Sequence, residues 1–284
     1  MENKYNTDKK ITLNNGLQIP CIGFGTFQIR KKSELENAIK VAYNTGYRLF
    51  DTAVVYGNEK LIGDILKKLK IPRNEIFLIT KIYKGDMTYE KTKKSIESSL
   101  KKLQSDYIDM ILIHWPEVEK SEDRINVWKA LEESVNENKV KMIGVSNFCK
   151  NHLEHILNNC KIKPVINQIE CNPIYWDEET IDYCEKNSIV IQAYCPLAEW
   201  NEKLVENDII VNIAKDKNKS VSQIILKWLL QKNKIPLPKS IHSDYIKQNF
   251  DLNGFYLNDD EMKKIDTLKS INYKTDLDPH NVPV

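Results

Sequence analysis

The chain has 284 residues, of which 41% are hydrophobic and 29% are charged. Such a composition is typical of a globular protein with a large buried core, and the length suits one parallel α/β barrel of about 250 residues. The 42 basic and 40 acidic residues leave a formal net charge of +2. This balance favours neither nucleic acid nor an acidic membrane surface as a partner.

Targeting and redox signals are weak in this sequence. Residues 1–10 are polar and lack the apolar segment of a secretory signal. No apolar run approaches the roughly eighteen residues that would predict a membrane span. We therefore expect a cytoplasmic protein without disulfides or a bound metal, since no Cys-x-x-Cys pair occurs. The six cysteines, all expected to be reduced, are Cys21, Cys149, Cys160, Cys171, Cys184 and Cys195.

The chain opens with a predicted β-hairpin. Short apolar segments at residues 11–13 and 17–19 flank Asn15-Gly16, a pair that favours a type I′ turn because both of its positions need positive φ. The first barrel strand is predicted over residues 21–27. A helix follows from a capping box, in which Ser33 and Glu36 would satisfy each other's backbone amides, to a stop at Gly46.

Amphipathic patterns predict the later helices at residues 59–69, 88–103, 124–138, 150–159, 177–187 and 220–231. Ser220 with Gln223 forms a second capping box, and Asn258 with Glu261 begins a late helix in the same way. Only seven residues, 117–123, separate the third strand-end motif from the next predicted helix.

Seven apolar runs alternate with these helices, and each run ends on polar residues. Those residues are Asp51, Lys81, His114, Ser146 with Asn147, Gln168, Tyr194, and Lys239 with Ser240. The alternation predicts an α/β fold, a (β/α)8 TIM barrel, in which the carboxyl ends of parallel strands share one face. We expect one domain over residues 1–284, with a hairpin at about 11–19, extra helices near the C-terminus and a tail at about 271–284.

Glycine-rich nucleotide motifs do not occur. The segment Gly23-Phe24-Gly25 lacks the third glycine of G-x-G-x-x-G, and no G-x-x-x-x-G-K-[ST] is present. The sequence therefore argues against a Rossmann domain and a P-loop, so a dinucleotide would have to bind by another route.

Four residues with complementary chemistry lie at or just beyond successive strand ends: Asp51, Tyr56, Lys81 and His114. A phenol is a poor acid, with a pKa near ~10, but a neighbouring ammonium stabilises the phenolate and lowers that pKa. A carboxylate would hold the lysine in place, and a histidine would hydrogen-bond a substrate oxygen. Together they could protonate a carbonyl oxygen while a second reagent, usually nicotinamide, delivers hydride to the carbon.

These residues lie in segments that resemble the aldo-keto reductase family. The matching motifs are GYRLFDTAVVYGNE at 46–59, LIHWP at 112–116, GVSNF at 144–148, NQIE at 167–170 and LPKS at 237–240. The resemblance extends from about residue 12 to residue 268. It implies a (β/α)8 barrel and NADP(H)-dependent reduction of aldehydes, ketones or small dicarbonyls (EC 1.1.1.-).

The resemblance also implies a role for each matching position. Tyr56 resembles the general acid, Lys81 and Asp51 its activating pair, and His114 the residue that orients the carbonyl. The positions that resemble cofactor contacts are Thr26, Ser146, Asn147, Gln168, Tyr194, Leu197, Lys239, Ser240, Tyr245 and Asn249. Phe27, Tyr83 and Trp115 match the wall of the substrate pocket.

The sequence departs from the family pattern at several of these positions. Tyr245 stands where the family usually has an arginine that pairs with the 2′-phosphate of NADPH, so NAD(H) is expected as a weaker alternative cofactor. Cys195 replaces a common serine, and Phe27 and Tyr83 replace common tryptophans. The short loop and tail resemble the bacterial-type reductases that act on small aldehydes and dicarbonyls, and we expect a monomer.

Two other functions remain open from the sequence. A Schiff-base aldolase would use Lys81 as its nucleophile but would not need Tyr194, Gln168 or the Lys239-Ser240 pair. A nucleotide-binding or regulatory protein on the same scaffold would bind the cofactor without turning over a carbonyl.

Overall fold

The computed structural model describes residues 6–118 and 121–283, apart from the side chain of Ser121. A two-stranded antiparallel hairpin, β1 (Lys10–Thr12) and β2 (Gln18–Pro20), precedes the main sheet. Eight parallel strands follow in the order of the chain: β3 (Phe24–Gly25), β4 (Leu49–Asp51), β5 (Phe77–Ile82), β6 (Ile108–Ile113), β7 (Val140–Ser146), β8 (Ile166–Glu170), β9 (Val190–Tyr194) and β10 (Ile235–Pro236). The predicted (β/α)8 fold is confirmed.

Backbone hydrogen bonds between the first and last parallel strands close the sheet. The amides of Gly23 and Gly25 donate to the carbonyl oxygens of Pro236 and Pro238, both over 3.0 Å. A closed sheet has no free edge strand, and the carboxyl ends of all eight strands meet in one mouth. We call this end of the barrel the mouth throughout.

Two apolar layers hold the barrel together. A smaller cluster fills the interior, and it includes Leu49, Ile79 and Leu112, all fully buried. Leu13 and Ile19 of the hairpin belong to the same cluster, so the hairpin closes the end of the barrel opposite the mouth. The larger cluster lies between the strands and the surrounding helices. With the interior filled at the bottom, the polar side chains at the strand ends collect at the mouth.

Eleven helices surround the strands within the described residues. They are α1 (Lys32–Thr45), α2 (Glu59–Lys68), α3 (Tyr89–Leu103), α4 (Ser121–Asn136), α5 (Lys150–Leu157), α6 (Glu178–Lys186), α7 (Glu202–Val205), α8 (Asp208–Lys217), α9 (Val221–Gln231), α10 (Ser243–Phe250) and α11 (Asp259–Asp266). The capping boxes predicted for α9 and α11 are both present. None of these helices is long and apolar enough to cross a membrane.

Two local predictions near the N-terminus are wrong. The capping box from Ser33 to Glu36 does not form, because α1 begins at Lys32 and Ser33 already lies inside its first turn. The type I′ turn does not form either, since Gly16 has a φ of 81° while Asn15 does not have positive φ. The Gly16 amide instead donates to Leu13, as in a longer loop whose last residue alone is left-handed.

Other boundaries differ from the expected ones. The first barrel strand is only Phe24–Gly25, because the chain turns directly after it, with the amide of Ile29 donating to the carbonyl of Thr26. The helix expected from residue 124 begins at Ser121, and residues 119–120 of the preceding short loop lie outside the described residues. Helices α7, α8 and α10 are not among the helices whose bounds the sequence predicts.

Gly144, in the middle of β7, tests how tightly the strands that carry the site are packed. A Cβ atom at this position would lie 2.8 Å from both the carbonyl oxygen of Ile166 and the Cδ2 atom of Leu112. We predict that Gly144→Ala lowers the free energy of unfolding by about 1–3 kcal/mol, the usual cost of overpacking. Urea denaturation measures it. Gly85→Ala is the control, because its Cβ would meet only ordinary contacts with Tyr83, and an equal effect of both substitutions would contradict the packing argument.

Candidate active site

Three neighbouring strands bring the four predicted catalytic residues together at the mouth. Asp51 ends β4, Lys81 is the penultimate residue of β5, and His114 directly follows β6. Tyr56 reaches the same place from a 3-10 turn, Val54–Tyr56, that follows β4. Because β4, β5 and β6 are adjacent and parallel, their ends lie side by side in space.

The Lys81 ammonium lies at the centre of the site. Its Nζ donates to both carboxylate oxygens of Asp51, over 2.7 and 2.9 Å, and to the carbonyl of Thr52 over 3.0 Å. It also donates to the hydroxyl oxygen of Tyr56 over 3.3 Å. Lys81 is fully buried, and these acceptors occupy all three of its N–H groups. The lysine is therefore fixed as a donor aimed at the phenol.

The pKa of Tyr56 differs in direction from the expectation. Burial and, after it, the Asp51 carboxylate raise this pKa well above its ordinary value. The predicted net lowering by Lys81 is not found, because desolvation of the phenolate and the nearby negative groups raise the pKa. The phenol is consequently kept protonated at neutral pH.

His114 packs against one side of the Tyr56 ring. Its ring meets the Tyr56 ring edge to face, with centroids 5.8 Å apart. Burial and, after it, the nearby Lys81 ammonium lower the pKa of His114 to about 3. Its buried Nδ1 has no hydrogen-bond partner among the described residues. The imidazole is therefore neutral at physiological pH and offers a hydrogen bond to a neutral oxygen, not an ion pair.

A network of buried amides and a hydroxyl continues from β7 to β9. Ser146 Oγ donates to the carbonyl of Gln168 over 2.8 Å, and Asn147 Nδ2 donates to the carbonyl of His114 over 3.0 Å. Gln168 Nε2 donates to Asp51 over 2.9 Å and to Gln192 over 2.7 Å. Gln168 lies in the middle of β8, not at its end, so it supports the Asp51–Lys81 pair from below.

Tyr194, the last residue of β9, joins this network from the opposite side. Its hydroxyl donates to Asn147 Oδ1 over 2.8 Å and lies 3.5 Å from Oδ2 of Asp276, in the C-terminal tail. Thr26, just beyond β3, is buried and donates to the carbonyl of Asp51 over 2.8 Å. The residues predicted to hold a nicotinamide are thus linked by hydrogen bonds to Asp51 and His114, which flank the phenol.

The predicted contacts for the rest of a dinucleotide follow β9 and β10. Leu197 is half-buried in a segment where Cys195, Ala198, Glu199 and Trp200 all have positive φ. Lys239 is exposed, and Ser240 Oγ accepts from the amide of His242 over 3.1 Å. Helix α10 presents Tyr245, 58% exposed, and the buried Asn249. Amide and hydroxyl donors at one end and an exposed ammonium at the other fit the carboxamide and phosphate groups of NADP(H).

The predicted substrate residues form part of the rim of the mouth. The ring centroid of Phe27 lies 4.9 Å from that of Tyr56. Phe27 and Tyr83 are 48% and 36% exposed, although both have large aromatic side chains. Trp115, directly after His114, is partly exposed. Exposed aromatic rings beside a buried phenol suit a pocket for small apolar or uncharged groups.

Sequence reasoning missed three supporting residues. Gln192 accepts from Gln168, the Thr52 carbonyl accepts from Lys81, and the Glu170 carboxylate at the end of β8 accepts from Thr275 in the tail. Glu170 carried a usable signal, because it is a charged residue in a strand that is otherwise buried. The other two act through a side chain inside the barrel and a backbone atom, which no motif marks.

One group of potential metal ligands lies outside this network. Cys149, Asp177 and His280 place their ligand atoms within 4.8 Å of one another. However, Asp177 Oδ2 already accepts from Thr180 Oγ1 over 2.6 Å and pairs with His280 over 2.8 Å. We therefore interpret the group as part of the attachment of the tail to the barrel.

Comparison with known proteins agrees with this geometry. A model of the Aldo/keto reductase family matches residues 21–270. Glyoxal reductase from Bacillus subtilis (strain 168) is 40% identical over 258 residues, which cover 91% of this chain and 92% of that protein. The chain belongs to the aldo/keto reductase family. It is accordingly an oxidoreductase that reduces carbonyl groups and uses NADP(H).

Solved structures of the family share the fold closely. MGS-M4, an aldo-keto reductase from a Medee basin deep-sea metagenome library, aligns with a TM-score of 0.91 at 40% identity, covering 96% of this chain and all of that one. An aldo-keto reductase of Bombyx mori, whose crystal structure is in complex with NADP, aligns with a TM-score of 0.88 at 30% identity over 97% of both chains.

The lowered pKa of His114 predicts how stability depends on pH. The pKa is about 3 in the folded protein and about 6.5 in an unfolded chain, so the unfolded chain binds the proton first. The contribution of this group to folding stability is fully present above about pH 6.5. It is lost progressively as the pH falls from about 6.5 to about 3. The slope approaches about 1.4 kcal/mol per pH unit.

Urea unfolding of the wild type and His114→Gln at several pH values measures this effect. The glutamine lacks the titrating group, so the wild type should lose more stability than the variant between about pH 6.5 and pH 5. Parallel stability curves for the two proteins would contradict a neutral, buried His114.

Proposed function

We propose that the chain catalyses NADPH-dependent reduction of small aldehydes and dicarbonyls, with Tyr56 as the proton donor. The observation that carries this proposal is the fully buried Lys81, which donates to Asp51 and Tyr56 at once. This arrangement gives a protonated phenol an immediate source of stabilisation when it loses its proton.

The shifted pKa values assign complementary tasks to two side chains. Tyr56, with its raised pKa, stays protonated and can give its proton to an oxygen that gains negative charge. Lys81 then stabilises the phenolate through a charge-assisted hydrogen bond. The neutral His114 donates to the carbonyl oxygen and orients it without repelling the Lys81 ammonium.

The proposed cofactor contacts extend from the phenol to α10. Ser146, Asn147 and Gln168 would hold the nicotinamide carboxamide, and Tyr194 would support the ring, while Thr26 and Leu197 border the path of the cofactor. Lys239, Ser240, Tyr245 and Asn249 would hold the 2′-phosphate and adenine. The chemistry that NADPH supplies when bound is a hydride for the carbonyl carbon.

The rim residues favour small substrates. Phe27 and Tyr83 are partly exposed aromatic residues, and Trp115 follows the carbonyl-orienting His114. Glyoxal reductase, the relative from Bacillus subtilis, bears the name of a small dicarbonyl substrate. We therefore propose small aldehydes and dicarbonyls as the substrate class, and a panel of them with NADPH and NADH is the first assay.

We further propose that the protein is a cytoplasmic monomer. All six cysteines are free thiols, as expected in a reducing compartment. Size-exclusion chromatography with light scattering tests the oligomeric state.

The alternatives fit the geometry less well. A Schiff-base lysine must be uncharged and free to attack a carbonyl carbon, but the Lys81 nitrogen is paired with Asp51 and held by the Thr52 carbonyl and the Tyr56 hydroxyl. Borohydride trapping of a carbonyl substrate on Lys81 would support an aldolase. A regulatory nucleotide-binding protein would not require Tyr56 beside Lys81, and nucleotide binding without turnover of any carbonyl would support it.

The first test of the proposal is removal of the phenolic hydroxyl. Tyr56→Phe keeps most of the packing against Phe27 and His114, so we predict a fall in kcat of at least ~10²-fold with little change in NADPH binding. Lys81→Met should be as damaging, since it removes the charge that stabilises the phenolate. Steady-state kinetics and NADPH fluorescence titration measure the two effects.

Tyr256→Phe is the matched control, because it removes a hydroxyl from an exposed tyrosine that has no part in the proposed site, and it should leave kcat unchanged. A Tyr56→Phe enzyme that keeps most of its activity would exclude Tyr56 as the proton donor. Thermal unfolding of Lys81→Met is needed as well, because an unpaired buried Asp51 destabilises the fold.

We predict that the enzyme prefers NADPH over NADH but still uses NADH at a measurable rate. Lys239 can give one charge-assisted bond to the 2′-phosphate, and such a bond contributes roughly 1.5–3 kcal/mol, or about tenfold or more. Tyr245 supplies no guanidinium, so NADH use should be measurable. Tyr245→Arg should lower KM for NADPH and change NADH kinetics much less. Equal improvement with both cofactors would mean that the arginine acts on adenine, and a wild-type preference for NADH would refute the phosphate site.

A further inference from the structure

The C-terminal tail is tied to the mouth by a buried carboxylate. Glu170, at the end of β8, has a fully buried side chain. It accepts hydrogen bonds from the amide and hydroxyl of Thr275, over 2.9 and 2.8 Å, and from the amide of Asp276 over 3.3 Å. Lys274 Nζ lies 3.5 Å from it. The buried charge is therefore satisfied by the tail, and the tail's backbone is fixed at residues 275 and 276.

Further contacts hold the tail beyond this point. His280 pairs with Asp177 over 2.8 Å, and His152 Nε2 lies 2.9 Å from the carbonyl oxygen of Val282. Arg124 Nη2 donates to the carbonyl of Pro283 over 2.9 Å. Because the chain is held on both sides of Asp276, this residue has a defined position at the mouth.

Asp276 thereby points a carboxylate at the proposed site. Its Oδ2 lies 3.5 Å from the hydroxyl of Tyr194, which in turn bonds Asn147. It is close enough to the phenol of Tyr56 to contribute to the raised pKa of that group, after burial and Asp51. No ion pair to Asp276 occurs among the residues that the structure describes.

Three other charged groups near the phenol and the tail are paired within the described residues. Lys81 is paired with Asp51, Lys84 with Glu117 over 3.1 Å, and Glu170 with Lys274. Asp276 has no such partner among the described residues and places a negative charge beside the Tyr194 hydroxyl. Asp276 is itself exposed, so water screens part of its charge, and its effect on a ligand several ångströms away is modest and depends on ionic strength.

We propose that Asp276 selects substrates by charge, so that the site accepts neutral or cationic carbonyl compounds and discriminates against those that carry a carboxylate or phosphate. Glu170 acts as a positioning residue, because it holds the tail that presents Asp276. This inference rests on the proposed carbonyl reduction and adds to it the class of substrate.

Three benzaldehydes that differ mainly in the charge of the para substituent provide the test: 4-carboxybenzaldehyde, its neutral methyl ester, and 4-trimethylammoniobenzaldehyde. Each variant is compared with the wild type on the same substrate, so intrinsic reactivity cancels. Asp276→Asn should raise kcat/KM for the anion about five- to tenfold, leave the ester within about twofold, and lower the cation by a similar factor. The differences should shrink at high ionic strength.

Asp278→Asn is the matched control, because it removes the same charge from the same tail at a residue without contact to Tyr194. It should leave the three ratios unchanged. Unchanged ratios in Asp276→Asn, or one common factor for all three substrates, would overturn the charge selection. A wild type inactive on all three substrates and on the small aldehydes would instead refute the proposed function.

The positioning role of Glu170 is tested by the same ratios. Glu170→Gln keeps the shape of the side chain but weakens the bonds to Thr275 and Asp276. It should reduce discrimination against the anion, and adding Asp276→Asn should then change little, since both act through one carboxylate. Fully additive effects of the two substitutions on the anion-to-ester ratio would overturn the positioning role.

Discussion

The buried ion pair between Lys81 and Asp51 is the interaction on which the site depends. Its two charges are removed from water, so each must be compensated by the other and by further hydrogen bonds. Thr52, Gln168 and the Tyr56 hydroxyl provide those bonds. The same bonds that satisfy the pair fix the phenol, so stability and catalytic geometry come from one set of contacts.

Burial shifts the pKa values of Tyr56 and His114 in opposite directions, and both shifts keep the side chain neutral. Desolvation disfavours the charged form of any group, which raises the pKa of Tyr56 and lowers that of His114. Both groups are therefore neutral and carry a proton to donate. Lys81 remains the nearby cation that can respond when negative charge develops on the substrate oxygen or on the phenol.

The mouth is built from the barrel strands and the C-terminal tail. The strands supply the buried donors, while the tail adds the exposed carboxylate of Asp276 beside Tyr194. Glu170 connects the two parts, because a buried charge at the end of β8 finds donors in residues 274–276 as well as in the neighbouring Asn172. The presence of Asp276 at the mouth thus depends on the hydrogen bonds that hold the tail to Glu170.

The sequence by itself determined the barrel, its strand ends and the four catalytic candidates, since strand alternation and motif residues are local properties of the chain. It could not determine the turn at Asn15-Gly16 or the first helix start, where alternative local conformations differ by little. Only the tertiary structure decided the direction of the Tyr56 pKa and the place of Gln168 beneath Asp51. It also decided the approach of Asp276 to Tyr194, because burial and contacts between distant segments arise only when the barrel closes.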